Sequence, residues 1–143
     1  MYLTDTPITL GRFFEFPCAV SCGALNFFVG IVREEDHGRQ VKKLSYECYP
    51  SMAEKMIGEL VAEAKNLWPV DEVRVSHRTG DLAIGDVAVV VAVSSKHRDD
   101  SFSACRFMIE GIKTKVPIWK KQFFMDGSDE WVLCAYPKEH ALP

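Results

Sequence analysis

The stretch VAVVVAVS, at residues 87–94, is the longest strongly apolar run in the chain. A continuous apolar run is typical of a strand that is covered on both faces, because a strand with one wet face alternates apolar and polar residues. The run is too short to cross a bilayer, which takes about 20 apolar residues in a helix. We therefore predict that residues 87–94 form the central strand of the fold.

Five other segments have the composition or the alternation of strands. Residues 41–49 place Leu44, Tyr46 and Cys48 on one face, which is typical of a half-buried strand. The remaining four segments are residues 23–33, 72–78, 119–125 and 130–135. With two main helices and a short N-terminal helix at residues 10–16, the order β-β-α-β-β-α-β-β predicts an α+β sandwich on a largely antiparallel sheet. The length of 143 residues fits one domain over residues 1–143.

Both main helices have recognisable ends. Ser51 and Glu54 have the Ser-x-x-Glu spacing of a capping box at the start of the first helix. Asp99 or Asp100 is a suitable N-cap for the second, which ends just before Pro117 because proline disfavours a helical residue ahead of it. We expect the inner face of the first helix to consist of Met52, Met56, Leu60, Ala64 and Leu67. The expected inner face of the second consists of Phe102, Cys105, Ile109 and Ile112.

The charge is unevenly distributed. With 17 Lys and Arg against 20 Asp and Glu, the net charge is −3, which argues against general nucleic-acid binding. Residues 94–121 contain seven basic and three acidic residues, so this segment carries +4 and the rest of the chain −7. A basic segment in an acidic chain predicts a local anion site.

The cysteines and the N-terminus predict a cytoplasmic protein with no membrane segment. The first residues lack the basic start and apolar block of a signal peptide. The five cysteines are odd in number and scattered, and no second ligand pair follows Cys18 and Cys22 to complete a zinc site. We therefore expect reduced thiols.

The basic segment contains two candidate sites. His97 and Arg98 lie on the loop into the second helix, where backbone amides also attract anions. Lys113 and Lys120 lie on either side of a proline turn, which can fold the chain back so that both face one pocket. Two lysines held together lower each other's pKa, and a lysine tuned in this way can act as acid, base or nucleophile. Arg33, at the end of a strand, is a further candidate phosphate ligand.

Each candidate also has a structural interpretation. The loop at His97 can be merely solvated, the lysines can be ordinary surface residues, and Arg33 can pair with the carboxylates that follow it. His77 alternates with core residues and is better interpreted as a hydrogen-bonded core histidine than as a metal ligand. The residues alone therefore predict an α+β domain with a cationic pocket for a small anionic molecule.

Five motifs stand in the order and spacing of one protein family. They are FVGIVR at 28–33, YPSM at 49–52, HRTG at 77–80, SKHR at 95–98 and KTKVPIWK at 113–120. On these motifs, over about residues 23–132, the chain resembles the MoaE family, the large catalytic subunits of molybdopterin synthase. The resemblance implies an α/β hammerhead fold and a homodimer, with a small ubiquitin-like (MoaD-like) sulfur-carrier subunit at each end.

The resemblance also implies a sulfur-transfer reaction. The carrier would insert its C-terminal Gly-Gly tail, carrying a thiocarboxylate, into a pocket of this subunit. Two sulfur transfers would convert cyclic pyranopterin monophosphate into the dithiolene of molybdopterin. Other proteins would add the metal later, so neither a metal nor a cofactor is expected here.

The family's site residues carry over by position. Lys113 and Lys120 match its two active-site lysines. Five further positions match residues that bind the substrate or line its pocket: Arg33, His97, Arg98, Phe28 and Ile109. The first three would bind phosphate and pterin, and the last two would form walls.

The sequence departs from the family pattern at two points. Many members have an arginine after a Trp-Val pair that reaches the neighbouring protomer's pocket. Here Trp131 and Val132 precede Leu133, so that cation is missing or replaced by Lys138. Gln122 also stands where an acidic residue is frequent. Both departures concern the part of the pocket shared across the dimer rather than the lysine pair.

Two other functions fit the same residues. A non-enzymatic module that docks a ubiquitin-like tail or a phosphorylated ligand needs the cationic pocket but no tuned lysine. An enzyme that forms a lysine Schiff base is a third hypothesis. Replacement of Lys120 separates the first two, because a binder would lose only modest affinity whereas the enzyme would lose turnover.

Overall fold

The chain folds as an α+β structure in which three helices pack on curled antiparallel sheets. A computed structural model describes residues 1–15 and 18–133, except for the side chains of Phe14 and Leu133. In chain order the elements are β1 (Leu3–Thr4), α1 (Leu10–Phe14), β2 (Ala24–Ile31), β3 (Glu35–Asp36), β4 (Arg39–Cys48), α2 (Pro50–Leu67), β5 (Val70–Arg78), β6 (Gly80–Ala83), β7 (Val87–Ser95), α3 (Arg98–Lys115), β8 (Ile118–Phe124) and β9 (Asp129–Leu133). The predicted α+β class is confirmed.

The strand β7 is central, as predicted. It pairs with β5 on one side and β2 on the other, in a sheet of order β1-β5-β7-β2. Its residues from Ala88 to Ser95 are all buried, which is why this strand has no polar alternation. The sheet is antiparallel except that β1 runs parallel to β5.

The second sheet carries β4 at its centre. Its order is β3-β4-β8-β9, and β6 pairs with the other side of β4. The chain crosses from the first sheet to the second between β5 and β6, where Arg78 donates to Asp86 Oδ2 over 3.1 Å and to the carbonyl of Asp81 over 3.3 Å. Tyr46 on β4 lies opposite Gly80 of β6 and Lys120 of β8.

Three short strands were not predicted. β1 and β3 have two residues each, and β6 lies in a segment whose glycines predict only turns. The short N-terminal helix is present at Leu10–Phe14, and the last two residues of the predicted strand 130–135 lie outside the described part of the chain. Within that part, no helix is long and apolar enough to span a membrane.

The predicted helix caps are wrong. Helix α3 begins at Arg98 with His97 as its N-cap residue, so Asp99 and Asp100 lie inside the first turn, where the helix dipole stabilises their negative charge. Helix α2 has Pro50 in its first turn, and neither helix has a side-chain hydrogen bond from its N-cap. A proline at this position presets the helical φ and has no amide to cap.

Glu54 has a tertiary role instead of a capping role. Its carboxylate accepts the backbone N–H of Tyr2, with 2.8 Å to Oε2 and a shorter contact to Oε1, and the N–H of Leu3 over 3.2 Å. The anchored strand in turn accepts the backbone N–H of His77 at the carbonyl of Tyr2, over 2.8 Å. Glu54 therefore fastens β1 along the end of β5.

The expected inner faces of the two helices are confirmed in part: Leu60 and Ala64 of α2, and Cys105 and Ile112 of α3, are buried as predicted. In α2 the buried residues are Ala53, Ile57, Leu60 and Ala64, and Met52 and Leu67 are exposed. In α3 they include Ala104, Met108 and Gly111, and Phe102 is 57% exposed. The two helices pack closely, and a Cβ added at Gly111 would lie 2.7 Å from Leu60 Cδ2. Small residues allow this approach, and large side chains at the contact would prevent it.

Replacement of Glu54 by alanine tests the anchor of β1. We expect Glu54→Ala to lower the free energy of unfolding by about 1–3 kcal/mol, because the backbone N–H groups of Tyr2 and Leu3 lose a charged acceptor. We expect Ser51→Ala to cost less than about 0.5 kcal/mol, well below the value for a true N-cap. Urea denaturation measures both, and Glu59→Ala, at an exposed position of the same helix beside Lys55, is the matched control. An equal loss in the free energy of unfolding for Ser51→Ala and Glu54→Ala would instead show that the two residues form a capping box.

Candidate functional site

Lys113 and Lys120 converge on Tyr46. The Nζ atom of Lys113 lies 5.8 Å from the centroid of the Tyr46 ring. Lys120 is the direct antiparallel partner of Tyr46, and side chains at directly opposed positions lie on the same face of a sheet. The structure thus brings together the two lysines that the sequence singled out.

The turn at Pro117 produces this convergence. Helix α3 ends at Lys115, as predicted, and β8 begins at Ile118. Along β8 the residues Ile118 and Gln122 are buried, so Lys120 between them lies on the same inner face and is half-buried. The next residue, Lys121, lies on the opposite face.

Lys121 has surface partners. Its Nζ atom lies 3.9 Å from Asp129 Oδ1 and 5.5 Å from the ring centroid of Trp131. The alternation of the strand therefore distinguishes two neighbouring lysines that look alike in the sequence.

His77 supports Tyr46 from the first sheet. The two rings meet edge to face, with centroids 5.0 Å apart and planes at 88°. The imidazole is 1% exposed, and its Nδ1 donates to the carbonyl of Arg78 over 2.9 Å, because a carbonyl can only accept. The prediction of a hydrogen-bonded core histidine is confirmed.

The environment of His77 disfavours its charged form. Burial and, to a smaller extent, the positive charge of Lys113 together lower the pKa of His77 to about 4, against the hydrogen bond to the carbonyl of Arg78, which raises it. The lysine therefore has a neutral imidazole as its neighbour.

A cavity of about 590 Å³ opens beside Tyr46, between β1, β4 and the start of β6. Its walls include Leu3, Cys48 and Gly80. Burial raises the pKa of the Cys48 thiol, and the charge of Glu54 raises it further, so this cysteine is held as a thiol rather than as a nucleophilic thiolate.

His97 and Arg98 lie at the other end of α3. Both are exposed and line a cavity of about 380 Å³ together with Gly23 and Lys96. Gly23 is required there, because an added Cβ would lie 2.8 Å from the carbonyl oxygen of Lys96. This loop forms the basic recess that the sequence predicts at the start of the helix.

The length of α3 separates the two groups of candidate residues. At 1.5 Å per residue, the helical span from Arg98 to Lys113 is about 22 Å. The seven basic residues of residues 94–121 therefore do not form one patch within the chain. They lie at the two ends of α3, in its middle at Arg106, and on both faces of β8.

The remaining predicted site residues lie along β2 and α3. Arg33 follows β2, is exposed, and forms an ion pair with Asp36 over 3.2 Å, which is the structural alternative considered for it. It lies at the Val87 end of β7, and because α3 runs back along β7, this is also the Lys113 end. Ile109 is half-buried one turn before Lys113, and Phe28 is 39% exposed near the middle of β2.

Tyr46 is the residue that sequence reasoning missed. The alternation of residues in β4 predicts that Tyr46 is buried, and the residue is indeed only 5% exposed. Its role as the meeting point of two lysines depends on pairing with β8 and on contact with β5, both distant in sequence. Lys138, considered as a replacement for the missing arginine, lies outside the described residues, as does Cys134. The four described cysteines are free thiols.

Comparison with known proteins identifies the relatives of the chain. A family model described as MoaE protein matches residues 3–115. The chain is 45% identical over 130 residues to the molybdopterin synthase catalytic subunit of Halalkalibacterium halodurans, which covers 91% of this chain and 83% of the relative. It is 39% identical over 130 residues to the subunit of the same name from Bacillus subtilis, which covers 91% and 82%.

Solved structures of molybdopterin synthase proteins have the same fold. The crystal structure of molybdopterin synthase from Staphylococcus aureus matches with a TM-score of 0.85 and 39% identity, over 92% of this chain and 95% of that chain. A protein–protein complex of subunits 1 and 2 of molybdopterin-converting factor from Helicobacter pylori matches with a TM-score of 0.73 and 26% identity, over 92% and 88%.

The lowered pKa of His77 predicts a pH-dependent stability. Between pH 6.5 and about 4 the unfolded chain binds a proton at this residue that the folded chain does not, so the free energy of unfolding should fall as the pH falls through this range. At 1.36 kcal/mol per pKa unit, the loss is roughly 3 kcal/mol. Denaturation at a series of pH values should show a shallower fall for His77→Gln than for the wild type. The control is His37→Gln at an exposed position, and an identical pH dependence of the wild type and His77→Gln would contradict the prediction.

Proposed function

The chain belongs to the MoaE protein family, and from this membership we propose that it is the catalytic subunit of a molybdopterin synthase. It takes sulfur from the C-terminal thiocarboxylate of a small MoaD-like carrier and transfers it to cyclic pyranopterin monophosphate. The observation that carries this proposal is the convergence of Lys113 and Lys120 on one buried tyrosine. The Helicobacter pylori complex of two subunits supports a partner of the MoaD type.

The lysine pair suits the charge of the reaction. A thiocarboxylate is an anion, and two ammonium groups at the end of its channel neutralise it and hold it against the substrate. The thiocarboxylate sulfur bonds to a substrate carbon while a carbon–oxygen bond at that carbon breaks, and the oxygen leaves with a proton or on the phosphate. Carrier and substrate are then joined as a thioester. Water then attacks the carrier carbonyl, the carbon–sulfur bond of the carrier breaks, and the carrier leaves as a carboxylate while sulfur stays on the substrate. The lysines donate and accept the protons of these steps and stabilise the oxyanion.

The site is completed by a second copy of the chain. A span of about 22 Å along α3 is too long for one small substrate to contact both the lysines and the recess at His97. In a homodimer, His97 and Arg98 of one copy can bind the phosphate of a substrate that reacts at Lys113 and Lys120 of the other. With one carrier at each end, the assembly is a heterotetramer. Arg33 also binds the phosphate and pterin, and Phe28 and Ile109 form walls of the pocket.

The protein is proposed to work in the cytosol. The four free cysteines of the described residues fit a reducing compartment.

Replacement of either central lysine tests the reaction. We expect Lys113→Ala and Lys120→Ala each to lower the rate of dithiolene formation by about 100-fold or more, because each removes a group that acts in the transition state. The assay mixes the protein with thiocarboxylated carrier and cyclic pyranopterin monophosphate and measures molybdopterin.

The chain supplies matched controls for both variants. Lys115 is exposed in the same helical turn as Lys113, and Lys121 lies on the outer face beside Lys120, so Lys115→Ala and Lys121→Ala should retain nearly full activity. No product from the wild type, or wild-type rates from both central variants, would show that the chain is a binding module instead.

A mixture of two inactive variants tests the shared site. If each site takes its lysines from one copy and His97 from the other, a mixed dimer of Lys113→Ala and His97→Ala has one intact site. After subunit exchange, random pairing should restore about a quarter of the wild-type activity. Lys113→Ala mixed with Lys120→Ala should restore none, since both changes fall on the same half of a site. Equal behaviour of the two mixtures would place the whole site within one chain.

A further inference from the structure

We propose that His77 is a positioning residue for Lys113 and acts through the ring of Tyr46. The inference rests on the proposed function, because it takes Lys113 to be a catalytic lysine. It concerns a residue of the first sheet that does not itself reach the substrate.

The contacts form a continuous path. His77 on β5 packs its ring edge to face against Tyr46 on β4, with a centroid separation of 5.0 Å. The Nζ atom of Lys113 lies 5.8 Å from the centroid of the same Tyr46 ring, within the range of a cation–π contact. Because His77 and Tyr46 belong to different sheets, this contact also fixes the two sheets relative to each other where the lysines meet.

The imidazole is held in one orientation. Its Nδ1 donates to the carbonyl of Arg78 over 2.9 Å, and its backbone N–H donates to the carbonyl of Tyr2 over 2.8 Å. Arg78 is fixed in turn by Asp86, at 3.1 Å. The ring that supports Tyr46 therefore has little freedom to rotate.

A histidine is a costly choice for simple packing at this position. Its Nε2 atom is buried and has no hydrogen-bond partner among the described residues. Such an atom destabilises a fold, so a wholly apolar ring would serve better if filling space were the only requirement. The imidazole offers what a phenylalanine lacks, an N–H that sets the ring angle, and as a neutral ring it does not repel the nearby ammonium.

Displacement of Tyr46 would change the geometry of the lysine pair. The strand pairing places the backbone of Lys120 opposite Tyr46, whereas the Nζ atom of Lys113, which comes from a helix, lies 5.8 Å from the centroid of the Tyr46 ring. Rotation of the ring would therefore move Lys113 relative to Lys120. A displaced Lys113 lowers the rate of the chemical step more than it weakens the binding of carrier or substrate.

Steady-state kinetics of the full complex with the carrier test the proposal. We expect His77→Ala to lower kcat about 10- to 100-fold with little change in either KM. His77→Phe, which keeps an aromatic edge but loses the orienting N–H, should lie between His77→Ala and the wild type. The control is Val75→Ala, because Val75 is buried on the same face of the same strand, and this variant should lose stability but keep kcat.

A measurement on Lys113 itself separates this proposal from the proposed function. In protein labelled with ¹³C-lysine, the Lys113 side-chain signals, assigned with Lys113→Ala, should shift in His77→Ala and His77→Phe but not in Val75→Ala. If the wild type makes no product but these shifts occur, the proposed function fails and the positioning contact stands. If Lys113→Ala is inactive while the folded His77 variants keep wild-type kcat and unshifted Lys113 signals, His77 has no positioning role. Should His77→Ala not fold, His77→Phe alone decides between these results.

Discussion

The register between β4 and β8 determines the chemistry of this molecule. With Tyr46 opposite Lys120, the inner face of β8 presents Ile118, Lys120 and Gln122, and the outer face presents Lys121. A slip of one residue would exchange these faces and place Lys121 in the site. The register is fixed because Ile118 and Phe124 must be buried at either end of the strand. The burial of Ile118 and Phe124 thus places Lys120 on the inner face of the sheet.

The parts of the fold that follow from local sequence were predictable. The continuous apolar run gave the central strand, and Pro117 gave the end of α3, because both signals act within a few residues. The capping box at the start of α2 was predicted wrongly because Glu54 has a stronger use elsewhere: it binds backbone donors at Tyr2 and Leu3, about 50 residues away in sequence. A local motif is decisive only when no tertiary partner competes for the same side chain.

The candidate site was predictable as a set of residues but not as an arrangement. The motifs singled out Lys113 and Lys120, and the turn between them made their convergence a reasonable expectation. The proximity of both lysines to Tyr46 depends on pairing between β4 and β8, which are distant in sequence, and the spacing of residues in a motif does not reveal such a pairing. The distance between His97 and Lys113 follows from helix length alone, although the +4 charge of residues 94–121 suggested a local anion site. The net charge of a segment does not show where along an 18-residue helix the charged side chains lie.

The two ends of α3 need different electrostatic environments. At the His97 end the basic groups are exposed, where water screens them and an arriving anion can displace that water at low cost. At the Lys113 end the cation is half-buried, and any further charge there would act through a medium that screens poorly. Burial keeps His77 neutral and Cys48 protonated, so the lysines are not offset by a nearby thiolate or opposed by an imidazolium. An anionic tail that enters this end therefore brings its negative charge next to two ammonium groups, a neutral imidazole and a neutral thiol.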